Sequence, residues 1–143
     1  MEDGEHTFHW NDYSWNREVN MLYIESPAGV GFSYCLDQYN CLNEYNDNIS
    51  GNDNLHALLF FLEHKFPELQ GHELYLSGES YAGIYVPYLA NEIYEYNKKY
   101  ENDTSVFKPN LKGYMVGNGV TNWTYDCDPA YIEMGYWHGL YNK

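Results

Sequence analysis

Apolar residues fall into short runs and helical stripes separated by polar, glycine-rich breaks. Positions 19–24 form a compact apolar run closed by Glu25, Ser26 and Pro27 and a turn through Gly29 and Gly31, which predicts a buried strand. A polar loop is expected over 34–51. Asn52 or Asp53 is then placed to cap a helix whose apolar residues Leu55, Leu58, Leu59, Leu62 and Phe66 recur at i, i+3, i+4 and i+7, with Pro67 just beyond its end. A second short strand is predicted over 73–77. After a break at 78–83, Val86, Leu89, Ala90 and Ile93 resume helical spacing to about Lys99, and Pro87 near the front predicts an irregular first turn or a helix that starts there. A third strand is predicted over 111–116, closing at Gly117-Asn118-Gly119, and the aromatic stretch 128–141 could add a short helix.

The order strand, helix, strand, helix, strand predicts the α/β class, with connections suited to parallel crossovers and one domain across 1–143. The carboxyl ends of parallel strands share one sheet edge. Glu25-Ser26-Pro27, Gly78-Glu79-Ser80 and Gly117-Asn118 should therefore meet there, which makes that edge the place to look for chemistry.

Composition narrows the partners. The 143 residues carry 7 Lys+Arg against 21 Asp+Glu, a net charge of −14, which repels phosphate and anionic lipid and argues against nucleic-acid binding. With 44% hydrophobic and 19% aromatic residues the chain can build a core and does not read as disordered. Its longest apolar stretch, 55–62, contains a histidine and falls short of the roughly 20 residues of a membrane span. Residues 1–9 lack the basic and apolar regions of a signal peptide. Three sequons, at Asn48, Asn102 and Asn122, nevertheless point to a secretory route, Asn48 being favoured because it falls in the longest polar loop. Cys35 and Cys41 are spaced to close a small disulfide loop, which leaves Cys127 to a partner outside the chain. Together these features describe a segment of a longer secreted protein.

Gly78-Glu79-Ser80-Tyr81-Ala82-Gly83 lies between a predicted strand and a predicted helix, the setting of a nucleophile elbow. There a serine takes a strained turn, small neighbours let strand and helix approach, and the helix amino terminus favours developing negative charge. By chance the bare pattern would occur in roughly one chain of this length in ten, so its placement after a strand is what gives it weight.

Three collinear blocks extend the pattern. They are Tyr13-Ser14-Trp15-Asn16 running through to Glu25-Ser26-Pro27-Ala28-Gly29-Val30-Gly31-Phe32-Ser33-Tyr34, the elbow with Tyr85-Val86-Pro87, and 111–119 ending in Gly117-Asn118-Gly119. In order and spacing the chain resembles the serine carboxypeptidases of the α/β-hydrolase fold. The resemblance implies that Ser80 is the nucleophile, that the backbone N–H of Tyr81 is one of two oxyanion donors, and that Glu79 helps hold the terminal carboxylate of a peptide substrate. The family's glycine-rich oxyanion block is absent ahead of the first strand, and its catalytic Asp and His belong far downstream. No cofactor is expected.

Histidines of this chain do not replace the missing base. His72 and Ser80 flank the same strand and lie roughly 20 Å apart at about 3.3 Å per residue. His56 and His64 are expected on the helix surface, and His138 has no evident carboxylate to orient it. His6 and His9, beside Glu2, Asp3 and Glu5, read as a solvated polar loop more than as a metal clip. The leading expectation is a secretory or lysosome-like carboxypeptidase acting on peptide carboxyl ends. An acyltransferase on the same scaffold and a non-catalytic truncated product are the alternatives.

Overall fold

A computed structural model describes residues 8–142. Its core is a parallel pair of strands, β1 (Leu74–Glu79) and β2 (Leu111–Gly117), linked through helix α3 (Ala82–Lys99). Ahead of them come α1 (Gln38–Asn43) and α2 (Asp47–Phe60), the latter running into a π-helical turn, Phe61–Lys65. A second π turn, Trp123–Cys127, leads into α4 (Asp128–Trp137). The architecture is α/β, a two-stranded parallel sheet with flanking helices.

Alternation along β1 explains the layering. Leu74, Leu76 and Gly78 face α3, whereas Tyr75, Ser77 and Glu79 are exposed on the opposite face. α3 packs on both strands and α2 packs on α3. Leu55, Leu58, Leu59, Leu76, Val86, Leu89, Ala90 and Ile93 make one apolar core, with Ile93 wholly enclosed. At the crossing of the helices, a Cβ on Gly51 would lie only 3.3 Å from Tyr88 Cβ, so glycine sets how closely α2 and α3 approach.

Four expectations are corrected. Residues 19–24 form no strand: they join no ladder, and Val19, Leu22 and Ile24 are exposed. Hydrophobicity expresses a demand for cover, and no described element meets that demand here. The expected loop 34–51 contains α1, and α2 begins at Asp47 rather than after Asn52 or Asp53. Asn46 is the cap, extended at φ −148° and ψ 175°, its side chain accepting from the N–H groups of Asn48 and Ile49 at 3.1 and 3.2 Å. Asn48 is consequently an exposed residue in a first helical turn, not a loop residue, and Ser50 of its sequon is buried. Pro87 neither starts nor disorders α3. The helix begins five residues earlier, because its first turn is held by Ile84 and Tyr85 donating to the Tyr81 carbonyl, ahead of the ring.

Cys35 and Cys41 are joined as a disulfide, and the Cys127 thiol is free and buried. Among the described residues no helix is long and apolar enough to cross a membrane.

Candidate active site

The end of β1 turns into α3 through Ser80, whose φ of 62° lies in the left-handed region. Such a backbone is costly for a residue with a Cβ and persists only where its surroundings hold it. Three hydrogen bonds do so. Ser80 N–H donates to the Gly117 carbonyl at 3.1 Å, and the Ser80 carbonyl accepts from Gly83 at 3.0 Å and from Val120 at 2.9 Å. The peptide joining Ser80 to Tyr81 is thus gripped by its oxygen. In a planar trans peptide the N–H points opposite to the C=O, so the Tyr81 N–H is directed away from Gly83 and Val120. It also stands at the start of α3, where helix N–H groups have no partners within the helix.

Close approach requires the surrounding glycines. A Cβ on Gly78 would fall 2.3 Å from the Ala82 Cβ, and one on Gly119 would fall 2.3 Å from Val116 Cγ1. On Gly83 it would meet the Val120 backbone, 2.3 Å from its oxygen. Small residues at 78, 83 and 119 let the strand, the helix and the loop after β2 converge on Ser80. Asn118, beside this junction, also has a positive φ of 45°.

The loop carrying Val120 has its own anchor. One Asp126 carboxylate oxygen accepts from Thr121 N–H at 2.8 Å, Thr121 Oγ1 at 2.6 Å and Asn122 N–H at 2.9 Å. Those bonds, the Thr121 hydroxyl foremost, hold the Asp126 carboxyl below its ordinary range. A depressed carboxylate stabilises the fold fully above its unfolded value of about 3.9, and that stabilisation disappears as pH falls through the lower folded value. Asp126→Ala should therefore lower Tm more at about pH 6 than at a strongly acidic pH, where the carboxyl gives up its charge. Melting curves at the two pH values check this, and an equal loss at both would reject it.

Beside the elbow is a pocket of about 220 Å³ lined by Pro27, Tyr45, Asn46, Asp47, Ser50, Tyr81 and Tyr85. Pro27 reaches it through the 25–27 turn, where Ser26 Oγ lies 3.2 Å from Ser50 Oγ. Glu25 folds back to accept the Phe32 N–H, and its carbonyl accepts from Ser33 Oγ at 2.6 Å. The first two sequence blocks meet at this pocket through Pro27, Tyr81 and Tyr85, and the third reaches the elbow through Gly117.

Ser80 and Glu79 are both exposed, and Glu79 pairs in register with Gly117 at the carboxyl end of the sheet. His72 precedes β1, at the end opposite Ser80, and His56 and His64 are exposed on α2 and its π turn. His138 closes α4 with Nδ1 2.8 Å from the Met134 carbonyl of its own helix. His6 lies outside the described residues. Among those described, no three His, Cys, Asp or Glu side chains gather as metal ligands. Sequence reading missed Asp47 and Val120. Asn46, a cap residue directly before Asp47, was a usable signal for the start of α2; nothing in the spacing links Asp47 to Tyr81 or Val120 to Ser80.

A left-handed serine between a parallel strand and a helix, with its following N–H turned outward, defines an α/β-hydrolase elbow. A family model described as serine carboxypeptidase matches residues 1–143, and the chain belongs to that family. Serine carboxypeptidase-like 35 of Arabidopsis thaliana is 49% identical over 113 residues, covering 79% of this chain and 22% of that protein. Serine carboxypeptidase-like 26 of Oryza sativa subsp. japonica is 44% identical over 117 residues, 82% of this chain and 23% of its own length. The crystal structure of Kex1Δp, a prohormone-processing carboxypeptidase from Saccharomyces cerevisiae, aligns with a TM-score of 0.61 at 30% identity, covering 94% of this chain and 28% of that one. The chain thus spans about a quarter of the length of the relatives it matches.

Proposed function

We propose that this chain carries the nucleophile of a serine-type carboxypeptidase that releases single residues from peptide carboxyl ends. Ser80 Oγ attacks the last peptide carbonyl, its proton passing to a base supplied by the rest of the full-length protein. The C–N bond then breaks, the terminal amino acid leaves with a proton on its nitrogen, and water hydrolyses the acyl-enzyme. The Tyr81 N–H stabilises the oxyanion, and Glu79 reads the substrate's terminal carboxylate. Residues 1–143 form part of one α/β-hydrolase domain, completed by the remainder of the protein. The Cys35–Cys41 disulfide and the exposed Asn48, Asn102 and Asn122 favour a secretory or vacuolar setting.

The observation that carries this reading is the left-handed Ser80, its carbonyl held by Gly83 and Val120 and its own N–H held by Gly117. A fluorophosphonate tests it on the full-length protein, since Ser80 Oγ must displace fluoride from phosphorus and only an activated serine does so. Peptide mapping should find the label on Ser80. Ser26 and Ser33 are tied to Ser50 and Glu25, and Ser77 lies within β1, so these should stay unlabelled. Label elsewhere, or labelling that survives Ser80→Ala, would reject the reading.

A further inference from the structure

We propose that Asp47 is a positioning residue for the oxyanion donor, acting by holding the Tyr81 side chain from across the pocket. The inference rests on the reading of Ser80 and Tyr81 given above. The Tyr81 hydroxyl donates to the Asp47 carboxylate at 3.2 Å to Oδ2 and 3.4 Å to Oδ1, a contact spanning 34 residues of sequence. Asp47 is itself fixed, because it is the first residue of α2, directly after the Asn46 cap. The ring also packs beside two aromatic neighbours. Tyr85 meets it edge-on with centroids 4.8 Å apart, and Trp123 lies at 6.3 Å.

The orientation of one backbone N–H is at stake. Gly83 and Val120 grip the oxygen of the Ser80–Tyr81 peptide, but that grip leaves the plane free to tilt about the hydrogen-bonded oxygen. Tyr81 φ, at −62°, sets how the side chain departs from that plane. Fixing the phenol at its far end therefore limits the tilt, with the ring acting as a lever. Burial, followed by the Asp47 charge, pushes the Tyr81 phenol above its ordinary range, so it stays protonated and remains the donor. The same charge, after burial, raises Tyr85, which places the Asp47 field across this wall of the pocket.

A helix-stapling role would also use this hydrogen bond, so the variants must separate the two. In the full-length protein, Asp47→Ala and Tyr81→Phe each remove the bond, whereas Asp47→Asn keeps an acceptor at that point. Fluorophosphonate labelling rate at Ser80 and kcat for a peptide and an ester should fall roughly ten- to a hundredfold in Asp47→Ala and in Tyr81→Phe. The double variant should be no slower than either single one. Asp47→Asn should retain most of the rate. Tyr81→Phe leaves α2 untouched, so the test stands even where Asp47→Ala misfolds. Lower Tm with unchanged labelling rates, or additive losses in the double variant, would overturn the proposal. Absence of label from Ser80 in the unmodified protein would instead remove the nucleophile reading, and the positioning role with it.

Discussion

Gly83→Ala in the full-length protein is expected, on the roles proposed for Ser80 and Tyr81, to cut the labelling rate of Ser80 at least about a hundredfold, the scale for a lost oxyanion donor. The new Cβ would sit 2.3, 2.7 and 2.8 Å from the O, C and N atoms of Val120. Those are backbone atoms, so no rotamer change relieves the overlap, and either the loop after β2 or the start of α3 must move by about an ångström. Both segments donate to the Ser80 carbonyl, Gly83 at 3.0 Å and Val120 at 2.9 Å, and any displacement releases the peptide that aims the Tyr81 N–H. Misplacement on that scale costs about two orders of magnitude in rate, and overpacking adds roughly 1–3 kcal/mol of lost stability. Gly71→Ala supplies the control, because nothing lies within 4 Å of its Cβ and its backbone is not left-handed. It should change Tm and labelling little. Wild-type labelling by Gly83→Ala would show that the clamp on the Ser80 carbonyl does not set reactivity.

That dependence on backbone contact marks what was legible in the sequence. The stripe Leu55, Leu58, Leu59 and Leu62 announced α2, because helical spacing of apolar residues is a one-dimensional signal of a buried face. Its start was misread because Asp47, Asn48 and Ser50 are polar, and the deciding contact was the Asn46 side chain on its own helix. The elbow was legible since glycines at 78 and 83 must flank a serine wherever strand and helix meet this closely. Residues 19–24 misled for the converse reason. An apolar run specifies a need for burial, but a strand exists only when a neighbour offers a ladder, and the described sheet holds β1 and β2 alone. Asp47 and Val120 escaped notice because each meets the elbow only through tertiary hydrogen bonding that no local pattern encodes.

On the function proposed above, cleavage of a peptide acid by the full-length protein should decline at higher pH, whereas cleavage of substrates without a free carboxylate should not. Glu79 ends β1 beside Ser80 and is exposed on the face away from α3, within reach of a substrate docked at the sheet edge. A terminal carboxylate placed beside it puts two negative charges about 4 Å apart, a repulsion of about 4 kcal/mol at an effective dielectric of 20. A proton shared with the substrate's carboxylate in the complex converts that repulsion into a hydrogen bond, which is lost when the complex gives that proton up. Binding of a peptide acid should accordingly weaken on the alkaline side, while the serine's base still requires deprotonation on the acid side, giving a bell-shaped kcat/KM. The matching peptide amide carries no terminal charge and should keep its activity to higher pH. Glu79→Gln supplies a neutral donor, so it should flatten the alkaline decline for the acid substrate and leave the amide profile in place. At the alkaline end the ratio of acid to amide cleavage should rise roughly ten- to a hundredfold in Glu79→Gln, which corresponds to about 1.4–2.8 kcal/mol of relieved repulsion. The measurement is kcat/KM against pH for both substrates in both proteins. Four superimposable profiles would mean that another group reads the carboxylate and that Glu79 only closes the strand.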